Sequence, residues 1–323
     1  MKLGLNLIIS LKILSFCLYF TENSTLEKNK KILAHAALFA VALIYGLNYS
    51  IAKDVMPNYI QPRGFILVRV TGAVVLFNIL YFLFPREKVA RADYLRILLA
   101  GFFGVAANQL LFFEGLNITT PISAAVIMTT NPIMVLSLSA LILKVPLSPA
   151  KIIGIILGLS GALSIIYQGS NGSLFNSGES LGNTLVLMNA FSYASYLIVV
   201  KPLMAKYKVL TVVRLVFMAG FVIVIPFGAE QFTEIMWTEM PSFIYWEVAF
   251  VVIATTFLAY LFNIYALKTV SSTTVSFYIY LQPLIAAIAA TILGTDELRF
   301  SMISSAILIF SGVYLVSFYG RRN

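Results

Sequence analysis

Of the 323 residues, 60% are hydrophobic and 11% charged, and the mean hydropathy is +0.93. Soluble domains run at about 45–50% apolar and about 25% charged, so this composition excludes a soluble enzyme and a disordered chain alike. The net charge of +9 does not mark a nucleic-acid binder, because the basic residues sit in short connectors between apolar runs, as in the cytoplasmic loops of membrane proteins.

Crossing a bilayer core of about 30 Å takes roughly 20 helical residues. Ten runs of that kind are present: Ile32–Lys53, Pro62–Phe84, Tyr94–Asn117, Thr120–Leu143, Pro149–Tyr167, Leu181–Val200, Val209–Gly228, Phe243–Leu267, Ser271–Leu293 and Leu298–Tyr319. The expected fold is an all-α integral membrane protein of ten transmembrane helices, with short turns making neighbours antiparallel. Upstream, residues 1–31 form an extension of uncertain role: a weak signal-like segment, a helix in the membrane interface, or a stretch preceding the natural start. The remaining plan is a first repeat over 32–167, an outer linker over 168–180, a second repeat over 181–319 and a cytoplasmic tail over 320–323.

The basic residues orient the bundle. With Lys28–Lys31 in the cytoplasm, inside segments hold 15 Lys and Arg and outside segments hold 3, namely Lys53, Arg63 and Arg299. That asymmetry predicts both ends of the bundle in the cytoplasm, and a bacterial inner membrane as its location. A lone cysteine, Cys17, cannot form an intrachain disulfide, and with a single histidine, His35, there is no supply for a Cys/His zinc site. No cofactor or metal is therefore expected.

The two halves resemble each other. At a shift of 151 residues, Asn131-Pro132 falls on Gln282-Pro283, and Ser160-Gly161 falls on Ser311-Gly312. At a shift of 145, Val68-Arg69 meets Val213-Arg214, and at 148 Tyr45 meets Tyr193. Five helices per copy is an odd number, so the second copy enters the membrane upside down, giving two inverted five-helix repeats. That arrangement is typical of carriers that alternate access around a midplane site.

Four stretches stand out: Tyr45-Gly46-Leu47-Asn48-Tyr49 in the first helix, Arg69 in the second, Ala259 to Lys268 (Ala-Tyr-Leu-Phe-Asn-Ile-Tyr-Ala-Leu-Lys) in the eighth and Gln282-Pro283 in the ninth. On these, the chain from Ile32 to Tyr319 resembles the EamA family of the drug/metabolite transporter superfamily. The resemblance implies a ten-helix secondary transporter, usually an exporter of small metabolites or amino acids. Two departures matter: Lys144-Val145-Pro146-Leu147 lacks the family's acid before the fifth helix, and neutral Gln282 replaces the usual Glu, which counts against proton coupling at those positions.

Ionisable groups within a membrane are costly and default to functional candidates. At about 1.5 Å per residue, Arg69 is expected about 10 Å and Glu114 about 5 Å below the outer ends of their helices. The two could therefore meet with Asn48 in the outer third and pair, either as a zwitterion site or outer gate, or as a structural ion pair. Arg214 is the third such group. Glu247 follows Tyr245-Trp246 and is expected in an interfacial aromatic belt. Pro132 and Pro283 interrupt the fourth and ninth helices and free the carbonyls of Met128 and Ile279. The polar residues at those breaks, Thr129, Thr130 and Asn131 on one side and Tyr278, Tyr280 and Gln282 on the other, are candidates for a substrate cavity, or else they satisfy simple kinks. Asn48, Asn108, Tyr193, Tyr196 and Asn263 complete the candidate substrate-binding set. Gly154, Gly158 and Gly161 suggest close helix packing. No phosphate-cradling loop and no His-Glu-x-x-His motif is present, so an enzyme is not expected. The expected partners are a small-molecule solute and the lipid bilayer, with protons as a candidate coupling ion and no nucleic acid. The alternative to a carrier is a membrane channel or binding protein without coupled turnover.

Overall fold

A computed structural model describes residues 24–83, 87–168, 178–270 and 278–317, and every regular element among them is helical. Expectations for residues 1–23, for most of the linker, for the start of the ninth run at Ser271 and for the tail fall outside the described residues.

Each helix begins where the chain chemistry allows it. The first, α1, covers Ser24–Val55. Pro62 opens α2 (Pro62–Phe82) at a position where a missing N–H costs nothing. α3 (Arg91–Ile118) starts as a 3₁₀ turn and carries a π-helical segment at Phe102–Ala106. α4 (Pro121–Leu143) is capped by Thr120, whose Oγ1 accepts from the Ser123 N–H at 3.3 Å, with Pro121 next in line. It breaks after Met128, resumes at Asn131, and stops on Lys144, whose φ of 53° closes the helix in the left-handed region. α5 (Pro149–Gln168), α6 (Gly178–Lys206) and α7 (Val209–Thr233) are continuous. α8 (242–269) passes through a second π-helical segment, Phe250–Leu258. α9 (Leu281–Ile292) and α10 (Phe300–Ser317) complete the bundle. Among the described residues nine helices are long and apolar enough to cross a membrane, and α9 is a shorter apolar one. Large apolar side chains such as Leu95, Leu141, Val222 and Phe300 stand more than half exposed on the perimeter. A soluble protein does not present so much contiguous apolar surface, whereas lipid accepts it.

The helix pairings express the inverted repeat. α2 packs on α7 and α5 on α10, each against its own counterpart. α3 and α4 pack on α6, and their counterparts α8 and α9 pack on α1. The two π-helical segments stand at corresponding places in α3 and α8, and the two proline breaks at corresponding places in α4 and α9. Without a hydrophobic drive between helices in lipid, close approach depends on small residues. The α5–α10 seam shows this: a Cβ added to Gly312 would stand 2.5 Å from both the Gly154 carbonyl oxygen and the Gly158 nitrogen.

Both ends are latched by side chains. At the end bearing most of the connector Lys and Arg, here the basic end, Asp93 accepts from Lys206 Nζ (2.5 Å) and Tyr207 OH (2.6 Å). At the opposite, far end, Lys53 Nζ donates to the carbonyls of Leu116, Asn117 and Thr119, satisfying acceptors that α3 leaves open as it ends. Asp296, between α9 and α10, accepts the Ile122 N–H at 3.1 Å and so helps cap α4 of the other half.

Candidate functional site

Arg69 sits at the heart of the bundle. It is 8% exposed, donates from Nε to Thr256 Oγ1 and from a terminal nitrogen to Gln109 Oε1, both at 2.7 Å, and lies 5.1 Å from the centre of the Phe113 ring. Three helices thus converge on one guanidinium: α2 supplies it, α3 gives an amide and an aromatic face, and α8 gives a hydroxyl from its π-helical segment. A charge at this depth is retained only where polar groups are aimed at it.

The expected Arg69–Glu114 pair does not form. Glu114 is instead bonded to Arg63 Nε at 2.6 Å, in a half-exposed pair near the far end. Depth explains the exchange. At about 1.5 Å per residue, Arg69 lies roughly 9 Å further into the membrane than Arg63, and Gln109 about 7.5 Å further in than Glu114. In the antiparallel α2–α3 pair, that matches Arg63 with Glu114 and Arg69 with Gln109.

Around Arg69 stands a group of tyrosines. Tyr45 is within electrostatic reach of Arg69, Tyr193 and Tyr260. Tyr193 and Tyr196 have ring centres 6.0 Å apart, and the Tyr196 and Tyr260 hydroxyls are 3.3 Å apart. Several amide and hydroxyl oxygens in the middle of the bundle are buried without a donor: Asn48 Oδ1, Thr130 Oγ1, Asn131 Oδ1 and Asn189 Oδ1. Asn189 Nδ2 donates to the Asn108 carbonyl, so at Asn108 the structure uses the backbone. Thr129 Oγ1 is spent on the Val126 carbonyl one turn back.

Two pockets flank α1 on opposite halves of the membrane. The basic-side pocket, a cleft of about 10 Å³, is lined by Leu38, Val41, Ala42, Asn263, Tyr278, Ile279 and Gln282. The Tyr278 hydroxyl is 2.9 Å from His35 Nδ1. The far-side pocket, larger at about 100 Å³, is lined by Ser50, Ile51, Asp54, Glu247, Leu293 and Thr295. Between them α1 closes on α9 at Gly46, where an added Cβ would meet Ile285 Cβ at 2.6 Å. Ala42 and Ser50 are each four residues from Gly46, about 6 Å along the helix axis. The barrier between the pockets is therefore about two helical turns thick.

Of the expected cavity residues, Asn263, Tyr278 and Gln282 share the basic-side pocket, while Thr129, Thr130 and Asn131 do not line it. Tyr280 turns aside toward Phe310, ring centres 6.1 Å apart. Pro283 is buried and Pro132 half-buried. Glu247 departs from expectation. Tyr245 and Trp246 face outward as an aromatic belt should, but the next position rotates by about 100° and carries Glu247 into the far-side pocket. Sequence reasoning also passed over Gln109 and Tyr260. Gln109 could have been found by asking which residue lies level with Arg69 on the neighbouring helix.

The pairing of helices, the buried cation and the two opposed pockets define a multi-pass membrane protein of the two-repeat transporter class. The family model for the EamA-like transporter family matches residues 32–167 and again 180–318, and the chain belongs to that family. Two relatives carry transporter names. The uncharacterized transporter YyaM of Bacillus subtilis is 23% identical over 290 residues, covering 89% of this chain and 94% of its own. An uncharacterized transporter of Archaeoglobus fulgidus is 26% identical, covering 71% of this chain and 78% of its own. A WAT1-related protein of Arabidopsis thaliana is also 26% identical, covering 85% and 80% respectively. A crystal structure of 15% sequence identity aligns with a TM-score of 0.57 over 90% of this chain and 98% of its own, which shows the shared fold.

Proposed function

We propose that this transporter is a secondary carrier that exports a small polar or amphipathic metabolite, an amino acid among the fitting solutes, across a bacterial inner membrane by alternating access. The observation that carries this reading is the pair of pockets on opposite halves of α1, separated only by the Gly46–Ile285 closure. A carrier needs two vestibules and a thin barrier that can be rebuilt on either side, and inverted repeats supply the two halves that exchange roles. Tyrosines and amides, some at the basic-side pocket and the rest around the buried Arg69 guanidinium in the middle of the bundle, suit a solute with an anionic or amide group and an apolar body. It does not suit a sugar phosphate, which calls for several cations at depth. The excess of Lys and Arg in the connectors supports the Lys30 end in the cytoplasm and the Lys53–Asp54 end outside.

Counterflow in proteoliposomes tests the proposal. Vesicles carrying the full chain are loaded with a pooled metabolite extract, and solutes that exchange across the membrane are identified by mass spectrometry. A saturable one-for-one exchange of a few solutes, lost in Arg69→Gln, is the expected result. Non-saturating leakage of many solutes indicates a channel, and no exchange by correctly folded protein sinks the carrier reading.

A further inference from the structure

The far-side pocket holds an arrangement that the solute site does not use. Asp54, in the last turn of α1, and Glu247, near the start of α8, bring their carboxyls within hydrogen-bonding range of each other across the pocket. Glu247 Oε2 is buried and receives no hydrogen bond from any donor. Ser50 Oγ, on the same pocket wall, is fully buried and also has no partner. Two ionised carboxylates are both acceptors only, so neither can satisfy the other, and like charges in contact repel.

The neighbouring cations are committed elsewhere. Lys53, one residue before Asp54, spends its ammonium on the carbonyls of Leu116, Asn117 and Thr119, and Arg63 is held by Glu114. Asp54 and Glu247 are the charged residues that line the pocket, with Lys53 beside Asp54 on α1 and, further off, Asp296 beyond α9 and Glu179 on α6. The last two lie within electrostatic reach of Lys53. Asp296 is engaged with the Ile122 N–H, and Glu179 stands 3.8 Å from Arg299. The remaining pocket walls are Ile51, Leu293 and Thr295. No group of three or more His, Cys, Asp and Glu suited to a metal ion occurs among the described residues.

From this geometry we propose that Glu247 carries an exchangeable proton, shared with Asp54, and that this pair couples transport to a proton gradient from the far side. A proton on Glu247 turns one acceptor into a donor, removes the repulsion and gives the buried pocket its missing hydrogen bond. Asp54 is exposed and Glu247 half-buried, so Asp54 is the way out. The Glu247 O–H bond breaks as an Asp54 oxygen takes the proton, and water at the membrane surface receives it from Asp54. Nothing beyond water and the proton itself is needed. Ser50, one turn from the Gly46 barrier on the side toward Asp54, is placed to feel whether Glu247 is charged when α1 and α8 move. Loss of that proton leaves two repelling carboxylates between these helices, which favours their separation and the opening of the far side. The coupling role rests on the carrier reading; the proton site itself does not.

Two readouts keep the two apart. The first is an infrared difference spectrum of the purified full chain between about pH 5 and about pH 8, a window that brackets ordinary and strongly perturbed carboxyls. Wild type is expected to show a protonated-carboxyl C=O band that Glu247→Gln lacks and Asp54→Asn shifts. A spectrum unchanged by Glu247→Gln overturns the proton site. The second compares counterflow with accumulation driven by an imposed pH gradient, using the pooled metabolite extract as probe. Glu247→Gln is expected to keep at least half of the wild-type counterflow while its gradient-driven accumulation falls about tenfold, to the level without a gradient. Equal response of wild type and variant to the gradient overturns the coupling, as does a wild type driven by a Na⁺ gradient and indifferent to pH. Absence of counterflow in the wild type removes the carrier reading and the coupling together, while the infrared result still decides the proton site. Should Glu247→Gln fold poorly, Asp54→Asn carries the same comparison from the exposed side of the pair.

Discussion

Arg69 and Arg214 occupy equivalent places in the two repeats, yet the protein treats them differently. Arg69 is sealed in the centre, held by Gln109 of α3 and Thr256 of α8 and stacked near Phe113. Arg214 is only half-buried, donates to Asn78 Oδ1 at 2.6 Å, and lies 4.4 Å from the centre of the Tyr81 ring, both partners on α2. The first arginine ties three helices together where solute is proposed to pass. The second ties α7 to its own counterpart. Symmetry of the chain delivers a guanidinium to each half, and the local partners decide whether it serves the solute path or the scaffold.

The largest expected effect that sharpens this contrast is Arg69→Ala. It leaves the Gln109 and Thr256 side chains facing an empty, buried space, and is expected to cost about 3 kcal/mol of stability, read as a lower melting temperature in detergent, and to abolish counterflow. Arg69→Lys is expected to keep much of the stability but not the transport, because an ammonium cannot present the same planar fork to an amide and a hydroxyl. Next comes Thr256→Val, which removes one hydrogen bond to a charged group. About 1.5 kcal/mol is expected, with transport reduced rather than lost, measured by the same melting and exchange assays. Arg214→Ala ranks third: loss of one interhelical hydrogen bond and one ring contact is expected to cost about 1 kcal/mol and leave counterflow close to wild type. If Arg214→Ala proves as damaging to transport as Arg69→Ala, the contrast drawn between the two arginines collapses. Smallest is the exposed pair of Arg63 and Glu114. Charge reversal at both positions is expected to change stability by less than about 0.5 kcal/mol, with a difference that shrinks further in high salt.

Much of this was legible in the chain itself. Ten apolar runs, the odd helix count per repeat and the matched prolines sufficed for the architecture, because bilayer thickness and backbone hydrogen bonding leave helices few alternatives. Gly154, Gly158 and Gly161 read correctly as a packing face because small residues in lipid have few other uses. The site was less legible, and for identifiable reasons. Depth estimates good to a turn could not tell Arg63 from Arg69 as the partner of Glu114. The aromatic pair Tyr245-Trp246 marks the membrane surface in sequence, whereas a one-residue rotation carries Glu247 inward. Asn263, Tyr278 and Gln282 share a pocket as residues of the second repeat, but the pocket's other wall comes from Leu38, Val41 and Ala42 on α1, which no local pattern announces.

The exchanged packing of α1 and α6 bears on how the chain is made. α1 rests on α8 and α9, the last part but one of the polypeptide to be synthesised. During translation it therefore enters the bilayer without its final neighbours and must wait there until most of the protein has followed. α6, by contrast, emerges to find α3 and α4 already in place. An amino-terminal half expressed alone holds α1 without its main packing partners, and a carboxyl-terminal half holds α6 without its own. The two halves are thus expected to assemble only when supplied together, and the newborn α1 is the stretch most in need of a chaperone or of the insertion machinery's shelter.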